Sequence, residues 1–281
     1  EYILHEESAP TEAGYVRAED VAFTVMETGE VQKVSMKDDH TKVEITKTDI
    51  TGETEIEGAK LQVLDKDGSV IEEWVSGKEP HLIERLPVGE YTLHEETAPD
   101  GYVVVSDVKF NVEETGEIQK VAMKNEPAMG QVLVKKTDSA DGTPLAGVEF
   151  EIRNKVTKEV VGKLVTDENG EARSEQLPIA VYEDGKMTEP IVYVLVETKP
   201  LDGYEEYTKE EEFVFTYQDQ NTPVIEITKE IQNTKIPGAK ITTAPKTGDM
   251  TNIWLPLALG GISLGGIITA VIWIRRKHKR G

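Results

Sequence analysis

Cysteine is absent from this 281-residue chain. That excludes disulfides, thiol chemistry and cysteine metal sites. Histidine is scarce: five residues, none in a His-x-x-x-His pair, so a zinc site has no support and neither a metal nor a cofactor is expected. Positive charge is also short, with 31 Lys and Arg against 53 Asp and Glu and a formal net charge of −22. Binding to nucleic acid through phosphates is thereby excluded. Residues 249–281 carry five basic groups and one acidic, which leaves −26 on residues 1–248. So acidic a surface keeps a protein soluble and self-repelling. No signal peptide opens the chain; Glu1-Tyr2-Ile3-Leu4-His5-Glu6 falls inside a repeat. The expectation is the C-terminal part of a longer secreted protein, whose durability must come from something other than disulfides.

The one long apolar run, Ile253 to Ile274, holds no charge. As a helix it would extend roughly 33 Å, enough for a bilayer core. Arg275-Arg276-Lys277-His278-Lys279-Arg280 follows it and would remain cytoplasmic, placing everything before residue 253 outside. Just before the run stand Ala244, Pro245, Lys246, Thr247 and Gly248. This tail resembles the cell-wall sorting signal of Gram-positive surface proteins: an LPxTG-like pentapeptide, an apolar span and a positive stop. The resemblance implies cleavage by a sortase between Thr247 and Gly248 and transfer to peptidoglycan or its lipid-linked precursor, so that the membrane is a transient partner. Ala244 replaces the usual Leu, which implies weaker recognition or a different sortase class. A permanent single-pass anchor fits the hydropathy equally well.

Self-comparison divides the remainder into copies. From Tyr15 to Asp39 against Tyr102 to Glu126, 15 of 25 positions are identical. Tyr91-Thr92-Leu93-His94-Glu95-Glu96 repeats Tyr2 to Glu7, and Tyr193-Val194-Leu195-Val196-Glu197 is a diverged copy. Val43-Glu44-Ile45-Thr46-Lys47-Thr48-Asp49 pairs with Val132-Leu133-Val134-Lys135-Lys136-Thr137-Asp138. The copies run 1–39 (partial), 40–127 and 128–236, followed by a linker at 237–252, the span at 253–274 and a basic tail at 275–281. Inside them the period is two: Val108, Phe110 and Val112 alternate with polar residues, as do Val148, Phe150 and Ile152. Asp67-Gly68, Asp141-Gly142, Asn169-Gly170 and Asp202-Gly203 mark turns. Each copy is predicted to be an antiparallel β-sandwich, making the chain all-β apart from the C-terminal transmembrane helix.

The alternation places polar residues on apolar faces. Val43, Ile45 and Lys47 share a face, as do Tyr91, Leu93 and Glu95, and Val121, Met123 and Asn125. The third copy repeats this with Val132, Val134 and Lys136; Tyr193, Leu195 and Glu197; Ile231 and Asn233. Lys136, not Lys135, shares the face of Val132 and Val134. The partial copy offers Tyr2, Leu4 and Glu6, then Val34, Met36 and Asp38. These are either strand-end residues that reach solvent or a buried set with chemistry of its own. Desolvation drives an amine toward its neutral, nucleophilic form and a carboxyl toward its acid form. A protonated Glu could then polarise the Asn carbonyl and relay protons while the amine attacks the side-chain carbon. Ammonia would leave behind a Lys–Asn isopeptide bond, formed once and without an external substrate.

The strand ending in Lys-Thr-Asp, the Tyr-x-Leu-x-Glu…Pro…Gly-Tyr box and the terminal Asn make residues 1–236 resemble the Cna B-type, SpaA-like modules of Gram-positive adhesins and pilins, which have a prealbumin-like (Ig-like) fold. The resemblance implies crosslinks Lys47–Asn125, assisted by Glu95, and Lys136–Asn233, assisted by Glu197. In the partial copy it implies Glu6 as the assisting carboxyl and Asp38 as the acceptor, with its Lys upstream of residue 1. A bond between first and last strands would carry a pull applied to the termini. The expected function is a wall-anchored adhesin stalk, with no enzyme activity beyond this self-reaction, whose missing N-terminal region would meet a host extracellular-matrix or cell-surface ligand. Alternatives are a basal or minor pilin subunit, and the wall anchor of an enzyme lying upstream; a pilin-type donor motif such as Tyr-Pro-Lys-Asn is absent. Gly261-Ile262-Ser263-Leu264-Gly265 matches a hydrolase elbow only inside the apolar run. Asp65-Lys66-Asp67-Gly68 is better read as a hairpin turn than as a calcium loop.

Overall fold

Alternating apolar residues make the strands, and what they bury places the site. A computed structural model describes residues 1–239. The motif at 244–248, the span at 253–274 and the tail at 275–281 lie outside the described residues. Among those described, no helix is long and apolar enough to cross a membrane; one 3-10 turn, Thr11–Ala13, is present. Two compact units divide the chain, one of Glu1–Glu126 with Asp184–Lys186, the other of Pro127–Glu183 with Met187 onward.

The first unit opens with β1 (Tyr2–Leu4), β2 (Tyr15–Val16), β3 (Val21–Phe23) and β4 (Asp39–His40). β1 pairs antiparallel with β3, and β2 with β4. Residues 24–38, predicted to end in a strand carrying Val34, Met36 and Asp38, contain no strand, and Asp38 is exposed. In both complete copies the last strand pairs with the first (below), and residues 1–39 hold no strand equivalent to that first one.

The complete copy that follows has β5 (Lys42–Asp49), β6 (Lys60–Leu64), β7 (Val70–Val75), β8 (His81–Glu84), β9 (Gly89–Thr97), β10 (Val108–Val112) and β11 (Ile118–Asn125). One sheet is ordered β11-β5-β8 and the other β10-β9-β6-β7. Between them lie Val43, Ile45, Leu61, Val63, Leu93 and Met123, all at most 2% exposed. Each such side chain contributes about 1.5–3 kcal/mol by leaving water. The turn at Asp65 is a hairpin: its Oδ1 accepts the N–H groups of Asp67 and Ser69, both at 2.9 Å, and Gly68 takes φ 81°.

One prediction needs correction. The sheets are not wholly antiparallel, because β5 and β11 run parallel, from Lys42 opposite Ile118 to Asp49 opposite Asn125. They are the first and last strands of the copy, joined through β6 to β10 rather than by a hairpin, and such a crossover can return the chain in the same direction.

The second unit repeats the plan with β12 (Met129–Asp138), β13 (Glu149–Asn154), β14 (Val160–Val165), β15 (Glu171–Arg173), β16 (Leu177–Pro178), β17 (Ala180–Glu183), β18 (Lys186–Pro190), β19 (Tyr193–Lys199), β20 (Glu211–Phe213) and β21 (Val224–Asn233). β12 pairs antiparallel with β15 and β16 and parallel with β21; the facing sheet is ordered β14-β13-β19-β20. The hairpin β17–β18 has no counterpart between β8 and β9. An aromatic pair recurs in all three copies: Tyr2 on Phe23, Tyr91 on Phe110 and Tyr193 on Phe213, with ring centroids 5.7, 5.7 and 5.6 Å apart.

Candidate functional site

Lys47 ends the apolar face of β5, Glu95 that of β9 and Asn125 that of β11, so two sheets and three strands deliver three polar groups into one interior. None reaches solvent: Lys47 and Glu95 are 2% exposed and Asn125 is fully buried. Lys47 Nζ lies 2.9 Å from Glu95 Oε1. Asn125 Nδ2 donates to Glu95 Oε1 and Oε2 at 3.0 and 2.9 Å and to the Val103 carbonyl at 2.8 Å. Glu95 is held in turn by the N–H of Val105, which donates to Oε2 at 2.9 Å.

The second unit builds the same constellation. Lys136 is wholly buried, and its Nζ lies 2.7 Å from Glu197 Oε2 while donating to Asn233 Oδ1. Asn233 Nδ2 donates to Glu197 Oε1 at 2.8 Å, and the Tyr207 N–H donates to that same oxygen at 3.2 Å. Lys135, the neighbouring candidate, points outward to Glu171. Alternation therefore selects the buried lysine, and the solvent-reaching reading does not hold for these six side chains.

Burial pulls both amines below the ordinary lysine range, with the adjacent carboxylate opposing it in part: Glu95 through its charge, Glu197 through its hydrogen bond. A buried amine so displaced is nearer to its nucleophilic form. In the first set, Lys47 Nζ faces Glu95 alone, and Asn125 Oδ1 accepts no hydrogen bond. A buried carbonyl oxygen left unpaired is costly.

One expectation is altered. The glutamate faces the nitrogen of the carboxamide, not the oxygen it was expected to polarise. In the first set the Val103 carbonyl takes Nδ2 and fixes the amide that way round; in the second the Lys136 ammonium takes Oδ1. The carboxylate thus contacts both the lysine amine and the carboxamide nitrogen.

In the partial copy, Glu6 accepts the Ala18 N–H at 2.7 Å. Ala18, Val105 and Tyr207 each stand three residues after the tyrosine of the Gly-Tyr box, so one backbone donor seats the glutamate in all three copies. Sequence reasoning passed over these donors; the fixed offset from that tyrosine was the available signal. Asp38 is exposed, and the structure does not bring it to Glu6.

A second cluster was also missed. Asp138 lies two residues past Lys136, its side chain wholly buried. Its Oδ2 meets Lys235 Nζ at 2.7 Å and accepts the Tyr204 hydroxyl at 2.9 Å, while Oδ1 accepts the Ala140 N–H at 2.8 Å. The Lys235 hydrogen bond first, then Ala140, hold this carboxyl down to about 2. It ties the end of β12 to the Gly-Tyr box and to the residues just after Asn233.

Fold and site together define a class: tandem prealbumin-type β-sandwiches that bury a lysine, a glutamate and an asparagine between their two sheets, the lysine on the first strand and the asparagine on the last. The chain belongs to the SpaA family of prealbumin-like fold domains, which matches residues 41–127 and 130–232. Among solved structures, that of the Bacillus anthracis TIE protein is similar at 27% identity and TM-score 0.53, covering 73% of this chain and 38% of that one. This chain therefore spans 38% of the TIE structure. A streptococcal ancillary pilin matches at 18% identity and TM-score 0.31, over 84% of this chain and 75% of that one. The shaft pilin SpaA of Lactobacillus rhamnosus GG matches at 15% identity and TM-score 0.28, over 70% of this chain and 98% of that one. A comparison with curated proteins gives no match.

Proposed function

We propose that this chain is part of an extracellular stalk whose two complete modules each seal themselves with a Lys–Asn isopeptide bond, Lys47–Asn125 and Lys136–Asn233. The observation that carries the reading is the meeting of amine, carboxylate and carboxamide in an interior closed to water, built twice by the same strands. The ammonium gives one proton to the glutamate. The freed amine attacks Cγ of the asparagine, and the glutamate shuttles a second proton from that nitrogen to Nδ2. The Cγ–Nδ2 bond breaks, ammonia leaves, the Nζ–Cγ bond remains and the glutamate keeps the first proton. Atoms and charge balance with no outside reactant, so each site reacts once and consumes no external substrate.

The bond would join strands that already run side by side and parallel. A pull between the ends of a module then runs through a covalent link instead of shearing a ladder of hydrogen bonds. A chain without cysteine needs such a link. The motif Ala244 to Gly248, the apolar span and the basic tail support attachment to the wall by a sortase at Thr247. Intact mass tests the crosslinks: each bond removes one ammonia, and Glu95→Ala or Glu197→Ala restores one.

A further inference from the structure

The two sites are equally dry but are not lined alike. Lys136 Nζ sits over two aromatic rings, 5.2 Å from the centroid of Tyr207 and 5.7 Å from that of Phe150. By register, Phe150 faces Glu197 on β19 as Leu61 faces Glu95 on β9. Val105 occupies the Tyr207 position, giving its N–H to the glutamate in the same way. The first site is thus aliphatic where the second presents two ring faces. Ring faces attract a cation, most strongly where water is excluded. Tyr207 is also pinned, its hydroxyl donating to Glu211 Oε1 at 2.6 Å, and that oxygen also takes Lys209 Nζ at 2.6 Å.

We propose that Phe150 and Tyr207 act as positioning residues that hold Lys136 as a cation against Asn233, making the second crosslink the slower to close. The inference rests on the crosslinking reading above. The ammonium donates to Asn233 Oδ1, so no lone pair faces Cγ until one proton has passed to Glu197. Every stabilisation of the cation delays that transfer. The groups around Lys136 are accounted for. Glu197 on β19 is the charged partner in contact, and Asn233 on β21 and Phe150 on β13 are neutral. Glu211 and Lys209 engage the Tyr207 hydroxyl. Asp138, with Lys235 and Tyr204, is satisfied two residues further along β12. Extra burial does not explain the difference, since Lys47 is 2% exposed beside aliphatic neighbours. The first site is therefore a built-in control for Tyr207→Val and Phe150→Leu.

The test uses the full chain, recovered unfolded in urea before either bond has formed, refolded at a fixed pH, sampled over time and digested for mass analysis at each crosslink. The wild-type half-time for ammonia loss at Lys136–Asn233 is expected to be about tenfold that at Lys47–Asn125. Tyr207→Val, and independently Phe150→Leu, should move the second half-time toward the first, whereas Tyr207→Phe should leave it in place. Leu61→Phe should delay the first. Coincident wild-type half-times, or equal shifts from Tyr207→Val and Tyr207→Phe, would overturn the inference while leaving the crosslinks standing. Full mass at both sites throughout would instead overturn the reading on which it rests.

Discussion

Lys136 and Asn233 lie 97 residues apart in sequence, yet the ammonium of one donates to the carboxamide oxygen of the other inside a dry interior. The parallel pairing of β12 with β21 creates that meeting: Lys136 stands opposite Ile231 and Asn233 opposite Asp138, so the two partners are one dyad apart on neighbouring strands. Lys47 and Asn125 hold the same relation on β5 and β11.

Separating the bond from the ion pair requires two variants. Asn125→Ala loses the crosslink but keeps Glu95 beside Lys47. Glu95→Ala loses the crosslink and also leaves Lys47 uncompensated, so it should be less stable than Asn125→Ala by about 3–5 kcal/mol in urea unfolding. Equal stability would mean that the glutamate is no partner to the buried amine.

The crosslink also restricts the unfolded chain. Lys47 and Asn125 are 78 residues apart, and closing a loop of that size contributes about 4–5 kcal/mol by chain entropy. Asn125→Ala should lower the stability of the first complete copy by about that amount. A change below about 1 kcal/mol would contradict a covalent closure there.

Acid should weaken the second unit through Asp138. Its folded value, held to about 2 by Lys235 and Ala140, lies below the unfolded value of about 3.9. The folded state thus favours the carboxylate. The resulting stability is fully present above the unfolded value and is lost as pH falls from there through about 2. Lys235→Met removes the main cause and should flatten this acid limb. An unchanged limb in the variant would assign the acid sensitivity to other carboxyls.

Gly130 on β12 packs against the Phe215 ring so closely that an added Cβ would collide with ring carbons. Gly130→Ala should therefore cost about 1–3 kcal/mol by overpacking. A neutral result in thermal unfolding would mean that Phe215 can move aside.

Much of the site was legible because the strand period is two. Val43, Ile45 and Lys47 cannot alternate without pointing the lysine inward, and the same holds for Leu93 with Glu95 and Met123 with Asn125. What stayed hidden was pairing. Alternation says which face a residue occupies but not which strand lies beside it or in which direction, so the expectation of antiparallel sandwiches does not include the parallel contact of β5 with β11. Val105 and Tyr207 escaped because they act through backbone N–H groups, which leave no mark in residue type. Asp138 escaped for another reason. It shares the face of Lys136, but its partners Tyr204 and Lys235 come from a loop and a strand end, where no periodicity points to them.

The intact mass of recombinant residues 40–236 tests the central claim most directly. The account predicts a mass two ammonia units below that of the bare sequence, with the losses mapping to Lys47–Asn125 and Lys136–Asn233. A mass equal to the bare sequence would contradict it.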